Sequence, residues 1–238
     1  MCTVITLQRP GHAWPLLIAA NRDERIDRAW DPPAAYWPDR PGVVGGRDRL
    51  GGGTWMALNQ HGVVCAVLNR TGSLGPAPGK RSRGELPLMA VEHHSAACAT
   101  AALLHLDGTA YRSFNLIIAD QKAVWYVRNL GDGSPTATLF PPGLHMVTSR
   151  DPDDPSSPRI TRHLPRFQAA PPPEPPDWST WASLLADRSG PVEAALNVPD
   201  HGGFGTVCAS LLGLPAAGAP NWLFAAGPPD LAPFQPVE

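Results

Sequence analysis

Cysteine is scarce in this chain of 238 residues, with four in all: Cys2, Cys65, Cys98 and Cys208. No two of them form a C-x-x-C pair, which argues against a zinc knuckle or a dithiol redox motif. Free thiols in this number fit a cytosolic compartment, and a cytoplasmic location is the expectation. Cys65, Cys98 and Cys208 read as small core residues. Positive charge is not in excess either. A formal net charge of −2 excludes a nucleic-acid partner held by phosphate neutralisation. No apolar run approaches the length of a membrane span, so no integral membrane segment is expected. The start of the chain has no basic region before its first apolar stretch. Gln8, Arg9 and His12 interrupt that stretch, so a secretory leader is not read there. Asp151, Asp153 and Asp154 lack the glycine bend and the downstream glutamate of a calcium loop, and they read as a turn cluster with no metal. The glycine run Gly51-Gly52-Gly53 lacks the Lys-Ser/Thr ending of a phosphate loop. No internal repeat is seen.

Proline (29) and glycine (23) are plentiful and spread along the chain, so many turns and rigid loops are expected. Alternation of apolar residues predicts strands at 2–7 and 15–20. Residues 31–53 read as a long loop with one short strand at 42–45. A hairpin is predicted from 54–58 and 63–68 and a long helix over 85–104. A second hairpin pairs 114–119 with 123–128. Further expectations are a strand at 145–149, helices at 159–167 and 178–186, and a last strand pair at 206–212 and 221–225. Residues 169–176 form a proline-rich linker, but the segment after them is too short for its own core. Strands come in antiparallel pairs with helices between the groups. The fold class is therefore α+β, in one domain over residues 1–238.

The chemistry gathers near the start. Removal of the initiator methionine would leave Cys2 with its own free α-amine. A thiol beside an amine is a nucleophile with a built-in base. The second apolar run ends in Asn21-Arg22-Asp23-Glu24. If the two runs pair, Asp23 could serve the thiol or the amine, and Arg22 could lower the thiol pKa or clamp an anionic substrate. Asn69, at a strand end, could donate to an oxyanion or simply turn the chain. Gly51-Gly52-Gly53-Thr54-Trp55 reads first as a tight corner with Trp55 in the core, and second as backbone approaching a ligand. The basic loop around Arg83 reads as solvated, or as a grip on a carboxylate or phosphate. His93, His94 and His201 could ligate a metal or haem by residue type alone, although a helical histidine pair more often faces solvent.

Met-Cys at the start, the Asn21-Arg22-Asp23-Glu24 tetrad, Gly52-Gly53-Thr54-Trp55 and Ser82-Arg83-Gly84-Glu85-Leu86 together resemble the NRDE family. That family is also called the transport and Golgi organisation protein 2 family, and the resemblance runs from Cys2 to about Trp222. The family is itself similar to cysteine N-terminal-nucleophile hydrolases such as choloylglycine hydrolase and penicillin V acylase. Cys2-Thr3, Asn21 and Asp23 match their motifs, and Asn69 matches their oxyanion asparagine. Ala20 stands where they carry arginine and Ser149 where they carry asparagine. Val207 and Cys208 occupy the region of their late arginine.

The resemblance implies a four-layer αββα sandwich of two antiparallel sheets. It implies an amidohydrolase acting on a non-peptide C–N bond of a small molecule. Cys2, Asp23 and Asn69 would be catalytic, Asn21, Arg22, Trp55 and Arg83 would contact substrate, and no cofactor would be required. The alternative it implies is a non-catalytic carrier of haem or lipid on the same fold, with Cys2 or a histidine on iron.

Overall fold

The computed structural model describes residues 2–238. The chain forms two compact units, the first running to Arg28 and resuming at Pro142, the second covering Ala29–Pro141. Strands β1 (Thr3–Gln8) and β2 (Leu16–Arg25) open the first unit. They pair antiparallel, with Thr3 opposite Asn21 and Gln8 opposite Leu16. All six residues of β1 are buried, which suits a strand of Val4, Ile5 and Leu7 separated by small threonines. The second strand runs five residues beyond its expected end. The tetrad is thus part of β2, not its exit. The buried Asp23 carboxylate survives there because Arg159 and Thr206 donate to it.

The second unit is an antiparallel meander flanked by two helices. Its elements are β3 (Trp30–Ala34), β4 (Val44–Asp48), β5 (Met56–Leu58), β6 (Val64–Asn69), α1 (Glu85–Ala90), α2 (Ala96–Leu103), β7 (Phe114–Ala119), β8 (Val124–Asn129) and β9 (Thr136–Leu139). The seven strands lie in sequence order. Leu86, Ala90, Ala99 and Leu103 of the helices bury against Cys65, Phe114, Leu116, Ile118 and Val127 of the sheet. β3 and β9 were not expected. Both are edge strands, and an edge tolerates the missing N–H groups of Pro32 and Pro33 in β3. The single long helix expected over 85–104 is two. Asn59 Nδ2 donates to the carbonyls of Val91 (2.7 Å) and His93 (2.8 Å), while its Oδ1 accepts from His61 and Val63 N–H. Those carbonyls are then unavailable to a continuing helix, and Ser95 caps a new one by accepting from Cys98 N–H.

The chain returns to the first unit with β10 (Gly143–Val147), α3 (Pro158–Ala169), α4 (Ser179–Leu185), β11 (Phe204–Leu214), β12 (Asn221–Ala225) and the unforeseen β13 (Phe234–Pro236). The sheet order is β10-β1-β2-β11-β12-β13, antiparallel throughout. Pro158 at the first helical position and Ser157 at the cap start α3. Its Ile160 and Phe167, with Trp181 and Leu185 of α4, bury against Ile5, Leu7, Leu17, Ala19, Ala209 and Leu211. Each of the leucine, isoleucine and phenylalanine side chains contributes about 1.5–3 kcal/mol by leaving water. The Phe167 and Trp181 rings meet edge to face at 5.4 Å. The proline-rich 169–176 stretch lies inside this unit. The α+β class with two antiparallel sheets, expected from the sequence, is the class observed. Among the described residues no helix is long and apolar enough to cross a membrane.

Candidate active site

Asp23 sits on β2 with its side chain fully enclosed. Pleating places Asn21 and Asp23 on the sheet face that carries α3 and α4, and Arg22 on the other. Both carboxylate oxygens of Asp23 are held. Arg159 Nη1 donates to Oδ2 at 2.9 Å and to Thr3 Oγ1 at 2.9 Å. Thr206 Oγ1 donates to Oδ1 at 2.6 Å. Arg159 is the second helical residue of α3, and only 3% of it is exposed. A buried charge pair of this kind is tolerable only with good geometry and further hydrogen bonds, and Thr3 and Thr206 supply them.

The partner strand β11 is irregular at this point. Thr206 pairs with Asp23 and Cys208 with Arg22, so two steps on β11 match one step on β2. The extra residue is Val207. In an unbroken ladder Thr206 and Cys208 would share a face. The bulge separates them, aiming Thr206 at Asp23 and setting Cys208 opposite Arg22. Bulges of this type recur beside active sites because they re-aim single side chains.

Cys2 immediately precedes β1 and is half-buried. Its Sγ donates to the backbone carbonyl of Asp23 at 3.5 Å. Burial raises the thiol pKa and the Asp23 charge adds to that, while the carbonyl hydrogen bond and Arg22 pull it down; the net direction is up. The resting group is therefore a thiol, and attack needs a base. Arg22 is 6% exposed and lies 3.9 Å from Glu24 Oε2. Burial pushes the Cys208 thiol up to about 12, against an opposing pull from Arg22.

Asn21 is buried and ties the fold through its amide nitrogen. Its Nδ2 donates to the carbonyls of Leu185 and Leu196, each at 3.0 Å, tying the end of α4 and residues 194–198 to β2. Thr148 and Ser149 follow β10 and are buried. Asp153 accepts from Met146 N–H and pairs with His145 Nδ1 at 2.7 Å, so the acidic loop is the turn cluster read from the sequence.

The other three expected site residues belong to the second unit. Asn69 ends β6, half-buried and paired with Phe114. Trp55 stands edge-on to Trp30 at 5.8 Å, and its ring covers Gly46, where an added Cβ would come within 2.2 Å of it. Arg83 donates to Ser73 Oγ (2.9 Å) and to the carbonyls of Ser113 (3.0 Å) and Gly75 (3.2 Å), anchoring the loop before α1. Cys98 is exposed on α2, with Sγ 3.7 Å from His94 Nε2, and does not join the core as expected. Cys65 is buried, as expected. Among the described residues no group of three or more His, Cys, Asp or Glu could hold a metal ion.

Sequence reasoning missed Arg159 and Thr206. Arg159 looks like any basic residue at the start of a helix, 136 positions from Asp23. The signal available was the cap: Ser157-Pro158 fixes where the helix begins and hence that residue 159 lies in its first turn.

The sequence matches the Transport and Golgi organisation 2 family over residues 1–172. It is 30% identical over 151 residues to the Transport and Golgi organization protein 2 homolog of Bos taurus, and 29% identical over 148 residues to that of Homo sapiens. Each match covers 58% of this chain and 51% of the relative, so the chain spans about half the length of the curated relatives it matches. Among solved structures it is similar to the Caenorhabditis elegans N-acylethanolamine-hydrolyzing acid amidase ortholog. The TM-score is 0.63 at 13% identity, covering 89% of this chain and 92% of that one. It is also similar to conjugated bile acid hydrolase from Clostridium perfringens, with a TM-score of 0.53 at 10% identity, covering 100% and 97%. Penicillin V acylase from Agrobacterium tumefaciens gives 0.50 at 15% identity, covering 94% and 86%. At these identities the likeness shows the fold alone.

Proposed function

The chain belongs to the Transport and Golgi organisation 2 family, and on that footing we propose that it is an amidohydrolase using Cys2 to cleave a non-peptide C–N bond of a small molecule. The observation that carries this reading is the enclosed Asp23 carboxylate, fixed at both oxygens, on the strand whose backbone carbonyl accepts from the Cys2 thiol. The thiol is protonated at rest, so the reaction starts with proton removal. The free α-amine of Cys2 takes that proton, and Asp23 orients the amine. Sγ then bonds to the acyl carbon, the C–N bond breaks, and the leaving amine departs with the proton. Water hydrolyses the resulting thioester. Arg22 contacts the substrate.

The test is product release from a panel of N-acyl amides, followed by chromatography, with Cys2→Ala and Asp23→Asn as comparisons. Turnover lost in Cys2→Ala and reduced at least 100-fold in Asp23→Asn is the expected result. If no amide is cleaved, and added haem gives a Soret band that Cys2→Ala abolishes, the hydrolase reading gives way to the carrier.

A further inference from the structure

We propose that Thr206 is a positioning residue for the reaction at Cys2, acting through Asp23; the proposal rests on the amidohydrolase reading above. A hydroxyl has one proton to give and two lone pairs to receive. Thr206 Oγ1 receives the N–H of Val198 at 2.7 Å. Its own proton is thereby directed outward, to Asp23 Oδ1 at 2.6 Å. Thr206 is 3% exposed, so no water competes for the hydroxyl.

The support behind Thr206 is rigid. Its N–H returns to the Val198 carbonyl at 3.0 Å, closing a reciprocal pair. Two residues upstream the Leu196 carbonyl is gripped by Asn21, and further back the Ala194 carbonyl takes the His163 Nε2–H at 2.9 Å. Residues 194–198 are all buried. The hydroxyl is therefore held from a fixed segment and aimed by the Val207 bulge. Arg159 grips the other carboxylate oxygen from α3. Ladder pairing alone would leave the carboxylate free to turn about its Cα–Cβ and Cβ–Cγ bonds, and these two donors stop it. Positioning errors of about an ångström at a reacting group cost on the order of 100-fold in rate.

The test uses p-nitrophenyl acetate as an acyl donor. The burst of p-nitrophenolate is followed by stopped flow, with Cys2→Ala subtracted as background. Thr206→Val keeps the branched shape and removes the hydroxyl. Its burst rate constant is expected to fall at least tenfold, while Thr206→Ser, which keeps the hydroxyl, stays within threefold of the wild type. In an Asp23→Asn background Thr206→Val is expected to change nothing further, because the residue acts through that carboxylate. A wild-type burst rate in Thr206→Val overturns the proposal, as does an equal loss in both backgrounds. A thermal melt is recorded for every variant. Should the valine variant lose its cooperative transition, Thr206→Ala against Thr206→Ser makes the same comparison, and equal rates again overturn the proposal. A wild-type protein with no burst above Cys2→Ala defeats the amidohydrolase reading itself, and this inference with it.

Discussion

Asp23 and Arg159 exclude water from each other, with side-chain exposures of 0% and 4%. Removing one member of such a pair strands the other charge in a medium that cannot solvate it. Arg159→Met is expected to cost about 3–5 kcal/mol in urea denaturation. A loss under 1 kcal/mol would mean that the pair is not buried in solution. His163 is a second residue with a readable energetic role. Burial holds its pKa down to about 4; the Ala194 hydrogen bond and Asp187 oppose this, and Arg166 and Arg162 reinforce it. Its neutral ring donates from Nε2 to the Ala194 carbonyl and accepts at Nδ1 from Arg166. The unfolded chain binds a proton there near pH 6.5, and the native chain refuses it until about pH 4. This contribution is complete above pH 6.5 and is lost as the pH falls toward 4, by on the order of 2 kcal/mol. Urea titrations at pH 7 and pH 4.5 measure it. His163→Gln should flatten the dependence, and an unchanged slope would contradict the assignment. At this scale Cys2, Asp23 and Arg22 stand out in the sequence as candidates because they are adjacent to strong local signals. Arg159 and Thr206 were not, because what makes each of them matter is a partner more than a hundred positions away.

At the scale of elements, two sequence signatures of the second unit explain each other. Gly53 and Gly84 bring their backbones into direct contact. A Cβ at Gly53 would lie 2.4 Å from the Gly84 carbonyl, and Thr54 N–H donates to that carbonyl at 2.8 Å. The Gly-Gly-Thr-Trp run and the Ser-Arg-Gly-Glu run are thus two halves of one backbone joint. Gly53 answers to this close approach and Gly52 to its left-handed backbone, with φ at +69°, and neither requires a ligand. Gly53→Ala has a backbone atom as its obstacle, which cannot swing aside. It is expected to lower stability by about 1–3 kcal/mol, read by thermal melting. An unchanged Tm would show that the joint can open. Sequence pattern located β1, β2, β6, β7, β8, β11 and β12 from their apolar runs, and α3 and α4. It missed β3, β9 and β13, which are short and exposed on at least one side. It fused α1 and α2, since the break depends on Asn59 reaching across from the β5–β6 turn.

For the whole molecule, the first unit is closed by pairings of great sequence separation. β1 meets β10, and β2 meets β11 across 183 positions between Asp23 and Thr206. Such long-range contacts fold slowly and leave no local mark, so the fold class was legible in the order of elements while the site's full membership was not. The same closure shields Cys208, which is buried and held far up the pH scale. In native buffer at pH 8 it is expected to resist iodoacetamide and to react only as urea opens the unit. Labelling at the rate of exposed Cys98 would contradict that packing. The central claim is that Cys2 attacks with its own α-amine as base, and intact-mass analysis before and after brief iodoacetamide treatment, with peptide mapping, tests it most directly. The predicted result is a mass lacking Met1 and an adduct at Cys2 that forms faster than the one at the exposed Cys98 in the same tube. Met1 retained, or Cys2 reacting more slowly than Cys98, would contradict it.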